Sequence, residues 1–177
     1  MKKTFKGILF ALMAIISINA FAQEEETCEL YFKDFTIKAG ETKTIYLYLQ
    51  NNFLGRDFQV QVFFGEGITP VAVKARKYFV PIGRALGEGT VFSQLYVEGE
   101  RRLRMLSNNF DGESVFTPGD EPIAELKVKA DDNFSGKVIC QVKDIPGWTC
   151  KLNHDVINPD GTKGVVSVEQ KNYRKFN

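Results

Sequence analysis

The sequence of 177 residues carries 23 Lys and Arg against 22 Asp and Glu, a formal charge of +1, with one histidine and three cysteines. So even a balance offers no basic surface of the kind nucleic acid demands, and nucleic acid is not an expected partner. With one histidine, no His-Glu-x-x-His motif and no closely spaced His/Cys set, a zinc site has no support.

The first 22 residues read as a secretory leader. Lys2, Lys3 and Lys6 form its positive region, Ile8 to Ile18 its apolar region, and Ala20-Phe21-Ala22 a small-x-small cleavage site. The uncharged run is shorter than the ~20 residues of a spanning helix, so cleavage after Ala22 is expected rather than a retained anchor. Removal takes three lysines and no acid, which leaves the exported chain at about −2. Residues 23–177 are one ordinary domain's worth of chain, undivided by linker, repeat or second long apolar run. A single domain with no membrane span is therefore expected. Glu24 to Glu26 read as a solvated tail, and no lipobox precedes Cys28, so the product is secreted or periplasmic without a lipid anchor.

From Thr42 onward the apolar signal has a period of two. Ile45, Leu47 and Leu49 alternate with Thr44, Tyr46 and Tyr48; Phe58, Val60, Val62 and Phe64 alternate with Gln59, Gln61 and Phe63. These two runs look like adjacent strands of one sheet. Further on, Val91, Ser93, Leu95 and Val97 alternate with Phe92, Gln94 and Tyr96, and Ala124, Leu126 and Val128 with Glu125, Lys127 and Lys129. Val138, Cys140 and Val142 repeat the scheme, and "NPDGT", Asn158 to Thr162, is a turn before a last strand at Val165 to Val168. Short half-buried strands without a three-turn helix predict an all-β chain, two packed antiparallel sheets forming a β-sandwich.

The segments "FTIKAGETKTIYLYLQNN", "FQVQVFFGEGI", "GTVFSQLYVEGERRLRMLSNN" and "GDEPIAELKVKADDNFSGKVICQV" resemble the ordered parts of cohesin-like β-sandwich modules of exported Bacteroides-type proteins. The likeness covers most of the chain beyond the leader and lies in scaffold motifs: a Gly-Glu turn opening a strand that ends in Asn-Asn, an aromatic-Gln start to the next, and an Ala-Asp turn. It implies a jelly-roll-like sandwich that binds rather than catalyses. Cohesins bind calcium-loaded dockerins and relatives of the fold bind polysaccharide, so a protein partner is the first implied ligand and a carbohydrate the alternative. No dockerin-type calcium repeat accompanies the module here.

An enzyme is the remote third reading, because chemistry is sparse. His154 stands beside Asp155 in "KLNHDV", but adjacent strand residues face opposite ways and no nucleophile motif is present, so a surface-loop histidine is expected. Asp131-Asp132, and Asp111 with Glu113, could supply the paired carboxylates of glycoside hydrolysis, yet both lie in turn sequence with its own use for Asp. Asp131, Asp132 and Asn133, or Asp155, Asn158 and Asp160, do not match the spacing of a twelve-residue calcium loop. No catalytic residue, metal or cofactor is assigned. Arg101, Arg102 and Arg104, with Lys74, Arg76, Lys77 and Arg84, could grip an acidic ligand, although a charged sheet face or edge accounts for them. Of the three cysteines, Cys140 and Cys150 are expected to bridge across the "DIPGW" turn, leaving Cys28 free. Trp148 in that turn is read as partly buried.

The candidate ligand-binding residues are Tyr46, Tyr48, Phe63, Phe92 and Tyr96, aromatic side chains at positions whose phase places them on outer sheet faces. Either the loop from Lys74 to Gly89 folds over these rings, or they stay exposed as a contact strip for a protein or a glycan.

Overall fold

The computed structural model describes residues 24–75, 77–86, 90–109 and 116–170. The leader, Arg76, Asp111 and Glu113 lie outside them. In chain order the strands are β1 (Cys28–Phe32), β2 (Thr42–Asn51), β3 (Asp57–Phe64), β4 (Ile68–Val71), β5 (Phe79–Pro81), β6 (Thr90–Val97), β7 (Arg102–Asn109), β8 (Gly119–Ala130), β9 (Cys140–Val142), β10 (Lys151–Ile157) and β11 (Lys163–Glu169). One sheet runs β1-β2-β8-β4 with β5 also on β8; the other runs β11-β10-β3-β7-β6 with β9 also on β3. All pairings are antiparallel. The fold is the all-β, two-sheet sandwich that the alternation predicts, and no described helix is long and apolar enough to cross a membrane.

The period-two runs fold as they read. Ile45, Leu47 and Leu49 from β2, Phe58, Val60, Val62 and Phe64 from β3, and Ala124, Leu126 and Val128 from β8 all enter the space between the sheets. Each belongs to the apolar phase of its strand, so turning that phase inward gains hydrophobic free energy. Phe58 sits at the centre, 5.5 Å from Phe116 and 6.1 Å from Phe92 between ring centroids.

Three expectations fail. First, β2 and β3 do not share a sheet: residues 52–56 carry the chain from one sheet to the other, so β2 pairs β1 and β8 while β3 pairs β7, β9 and β10. Second, β6 has the opposite phase. Phe92 and Tyr96 turn inward against the core and Val91, Ser93 and Leu95 face solvent. Both phases of this strand are apolar, and the two rings bury more surface than Val91 and Leu95 would. Gln94 goes inward with them because its amide accepts from the backbone N–H groups of Tyr78 and Phe79 at 2.8 Å each and donates to the Phe79 carbonyl at 2.9 Å.

Third, Cys140 and Cys150 are free and buried, as is Cys28. β9 and β10 are successive pieces of one strand line along β3, with Cys140 opposite Phe64 and Lys151 opposite Gln59. Four residues of β3 separate the two cysteines, about 13 Å at strand rise, whereas a disulfide joins Cα atoms less than about 7 Å apart. Burial pushes the Cys150 thiol up to about 12 and the Cys28 thiol up to about 11, which keeps both protonated.

The β3–β4 turn depends on Gly67, whose φ of +74° is left-handed and whose missing Cβ leaves room for the Phe134 ring; a Cβ there would lie 2.8 Å from Phe134 Cδ2. Gly67→Ala is expected to lower stability by about 2 kcal/mol, read from urea unfolding, since alanine meets both the left-handed penalty and the ring.

Candidate functional site

The outer face of the six-stranded sheet carries exposed apolar side chains from β6. Its register places Leu95, Arg104 and Gln61 in one row across β6, β7 and β3, Ser93 beside Leu106 in the next, and Val97, Arg102, Phe63 and Gln141 in a third. Leu95 is 57% exposed and Val91 49%, values high for large aliphatic residues on a strand.

Trp148 completes this face. After β9 the chain leaves β3 at Lys143 and returns at Lys151, and the excursion is closed at its neck by Asp144, which accepts the Cys150 N–H at 2.6 Å. Ile145 and Trp148 close a tight turn by exchanging backbone hydrogen bonds at 3.2 and 2.9 Å, with Gly147 at a left-handed φ of +79°. The indole then lies beside the sheet, with the Arg104 guanidinium 5.0 Å from its ring centroid, while Arg104 Nε donates to Gln61 Oε1 at 3.2 Å. Ser93, Leu95, Arg104, Leu106 and Trp148 line a depression of about 190 Å³ with a mainly apolar wall. The buried Trp148 Nε1–H has no acceptor among the described residues. Lys143 stands 5.9 Å from the Phe63 ring at the edge of this patch.

The other predicted residues are scattered. Tyr46, 41% exposed, and Tyr48 occupy the outer face of the opposite sheet. Tyr48 stacks on its cross-strand partner Tyr31 at 5.3 Å, lies under the Lys33 ammonium at 4.1 Å, and shares that covered cluster with the Tyr31 hydroxyl bonded to Asp120 at 2.6 Å. Tyr96 packs on Phe64 and Tyr78 inside, where burial first and Glu98 second push its phenol up. The described residues of the segment from Lys74 to Gly89 do not cover the tyrosines of β2; β5 extends the sheet edge beside β8 and reaches the inner side of β6 through Gln94. Of the five aromatics, Phe63 alone belongs to the face around Trp148.

His154 is not a surface-loop residue. It lies on β10, buried, its ring 4.9 Å from Phe53 and its Nε2 2.9 Å from Glu26, while Asp155 faces the other way and binds Arg56 at 2.9 Å. Asp131 serves its turn through the backbone, accepting from Gly40 and Phe134 at 3.0 Å each. Among the described arginines, Arg102 is buried in an ion pair with Glu100, Arg104 lies under Trp148, and Arg84 is bound away from them to carbonyls at the far ends of β2 and β8. A larger groove of about 790 Å³ opens between residues 33–37 and 136–140, with Lys33, Lys43 and Lys137 on its walls. Its Lys43 ammonium is held by the Thr36 carbonyl at 2.7 Å and Lys33 by Tyr48. Sequence reasoning missed Leu95 because it assigned that phase to the core; the exposed role of an apolar residue carried no local signal.

No family model matches the chain and no curated protein matches its sequence. Among solved structures, a type I cohesin from Clostridium thermocellum, determined in a cohesin–dockerin complex, superposes with a TM-score of 0.57 at 14% identity over 83% of this chain and 96% of that one. A type II cohesin domain from the cellulosome of Acetivibrio cellulolyticus gives 0.57 at 12% identity over 84% and 92%. The second type II cohesin module of that organism's adaptor scaffoldin gives 0.57 at 11% over 88% and 99%. Identities this low speak for architecture alone, and the architecture of this chain is the cohesin fold.

Proposed function

We propose that this protein is an exported, non-catalytic module, residues 23–177 after loss of the leader, that binds a protein partner through the outer face of its six-stranded sheet. The observation that carries the reading is the cluster of Leu95, Leu106, Trp148 and Arg104 around one depression. Tryptophan and arginine in an apolar setting are the residues that dominate protein interfaces. Structural relatives determined as cohesin–dockerin complexes support a protein ligand for this fold. A polysaccharide platform needs several coplanar exposed rings, and Phe92 and Tyr96 are turned inward while Tyr48 is stacked on Tyr31. An enzymatic reading would rest on turn carboxylates, and the Asp131-Asp132 pair lies in a turn that Asp131 closes through its carbonyl, while His154 is engaged by Glu26 and Phe53.

Immobilised protein is exposed to proteins of the source cells, and the captured partner is then titrated by calorimetry. Leu95→Asp and Trp148→Ala are each expected to weaken that binding at least tenfold, while Tyr46→Ser on the opposite sheet changes it less than twofold. Binding indifferent to both face variants, or dose-dependent binding to a glycan array with no protein captured, would overturn the reading.

A further inference from the structure

A sandwich of two open sheets has four edges, and each exposes backbone N–H and C=O groups that invite another strand. Three of them are blunted. At β1, the Gln170 side chain acts as a surrogate strand: its Oε1 accepts the Leu30 N–H at 3.3 Å and its Nε2 donates to the Leu30 carbonyl at 3.1 Å. The β4/β5 edge is split into short pieces carrying Pro70 and Pro81, which supply no N–H. At β11 a charge stands at either end, Lys163 and Glu169, and the stretch between them is shortened to five residues that begin with Gly164, a residue that weakens strand pairing.

The fourth edge, β6, has none of these devices. Its sequence TVFSQLYV runs eight residues without a charge or a proline. No backbone hydrogen bond beyond its pairing with β7 reaches it among the described residues. Its solvent-facing side chains include Val91 and Leu95, both about half exposed.

We propose that β6 is a self-association edge on which a second copy of this chain pairs antiparallel, β6 against β6, across a two-fold axis. The strand is complementary to itself. Antiparallel pairing centred on Ser93 sets Ser93 opposite its own copy and each Leu95 opposite a Val91 of the partner, two apolar cross-strand pairs on the outer face. With no charge in the strand, no like-charge pair opposes that register. The two six-stranded sheets then become one continuous sheet, and the partner-binding faces of both copies lie on the same side of it. A pair of eight-residue edges covers less area than a standard interface, so the dimer is weak, with a dissociation constant on the order of 10–100 µM. This association rests on the edge; it shares Ser93 and Leu95 with the depression on the sheet face, so Val91, which does not line that depression, is the position that separates self-association from partner binding.

Sedimentation equilibrium of the leader-free chain between about 5 and 500 µM tests it. The expected result is a monomer–dimer equilibrium that Val91→Lys shifts to monomer, with a melting temperature within about 2 °C of the parent because that side chain is solvent-facing. Ser93→Cys supplies an orthogonal reading. Under oxidised glutathione two such thiols on the axis join as a disulfide dimer, glutathione taking the electrons, whereas the parent chain with its three buried thiols does not cross-link. A chain monomeric at 500 µM would overturn the proposal. So would a dimer that Val91→Lys leaves intact, or a Ser93→Cys variant that stays monomeric on a non-reducing gel.

Discussion

Phe58→Ala is expected to lower the free energy of unfolding by about 4 kcal/mol, with a fall in Tm of about 12 °C for a chain of this size. The Phe58 ring is fully buried where the two sheets face each other, touching Phe116 edge-on and Phe92 at a tilt, and its own N–H donates to Ser107 Oγ at 2.8 Å across the β3–β7 pair. Alanine removes the ring while Phe116 and Phe92, anchored on separate elements, cannot close the space, so a cavity cost adds to the lost transfer energy. Phe58→Leu, which keeps most of the volume, should lose less than half as much. Equal losses for the two variants would show that the site collapses around alanine. Urea denaturation followed by Trp148 fluorescence measures both.

The second large effect is expected at Arg84, in the 3-10 turn Gly83–Leu86 between β5 and β6. Its guanidinium donates through Nη1 to Asn51 Oδ1 at 2.8 Å and to the Thr117 carbonyl, and through Nη2 to the Leu49 carbonyl and to the Gly119 carbonyl at 3.3 Å. Asn51, itself buried, turns its amide to the carbonyls of Phe53 at 2.6 Å and Phe116 at 3.1 Å. One planar fork thus satisfies the end of the β2–β8 ladder, where the strands open and no further rung is available. Burial pulls the Arg84 pKa down and the charges of Glu121 and Asp120 oppose that pull, so the side chain remains a cation. Arg84→Ala leaves several half-buried carbonyls without donors and should cost about 3 kcal/mol; Arg84→Lys, a point donor in place of a fork, should recover only about 1 kcal/mol of it. Full recovery with lysine would show that charge, not geometry, holds the ladder end.

Neither residue was visible in the sequence to the same degree. Phe58 opens a strict alternation whose other phase is Gln59 and Gln61, so its inward direction follows from polarity alone. In β6 both phases are apolar, and the decision falls to ring size and to Gln94, whose inward placement is possible only because Tyr78 and Phe79, more than a dozen residues earlier, present their backbone to it. The crossing of the chain between β2 and β3 was illegible for a related reason: alternation says which side of a strand is buried, not which sheet the strand joins. Arg84 looked like one of several scattered cations, since its acceptors are main-chain carbonyls that any sequence supplies. His154 could have been found, because Leu152 shares its phase and is fully buried. The face around Trp148 was half legible: the Pro-Gly turn announced a projecting loop, but its position beside Arg104 and Leu95 depends on β9 and β10 lying in line along β3.

That in-line break also bears on how the molecule can diverge. Because β9 and β10 are each registered on β3 independently, and the Asp144 carboxylate closes the neck of the excursion between them, extra residues inserted between Asp144 and Cys150 need not slip either strand. Doubling such a loop costs only about 0.6 kcal/mol of closure entropy, a small fraction of a domain's stability. Descendants of this chain can therefore lengthen, shorten or rewrite the loop that carries Trp148, and so exchange one partner for another, while the packed interior beneath it is inherited unchanged.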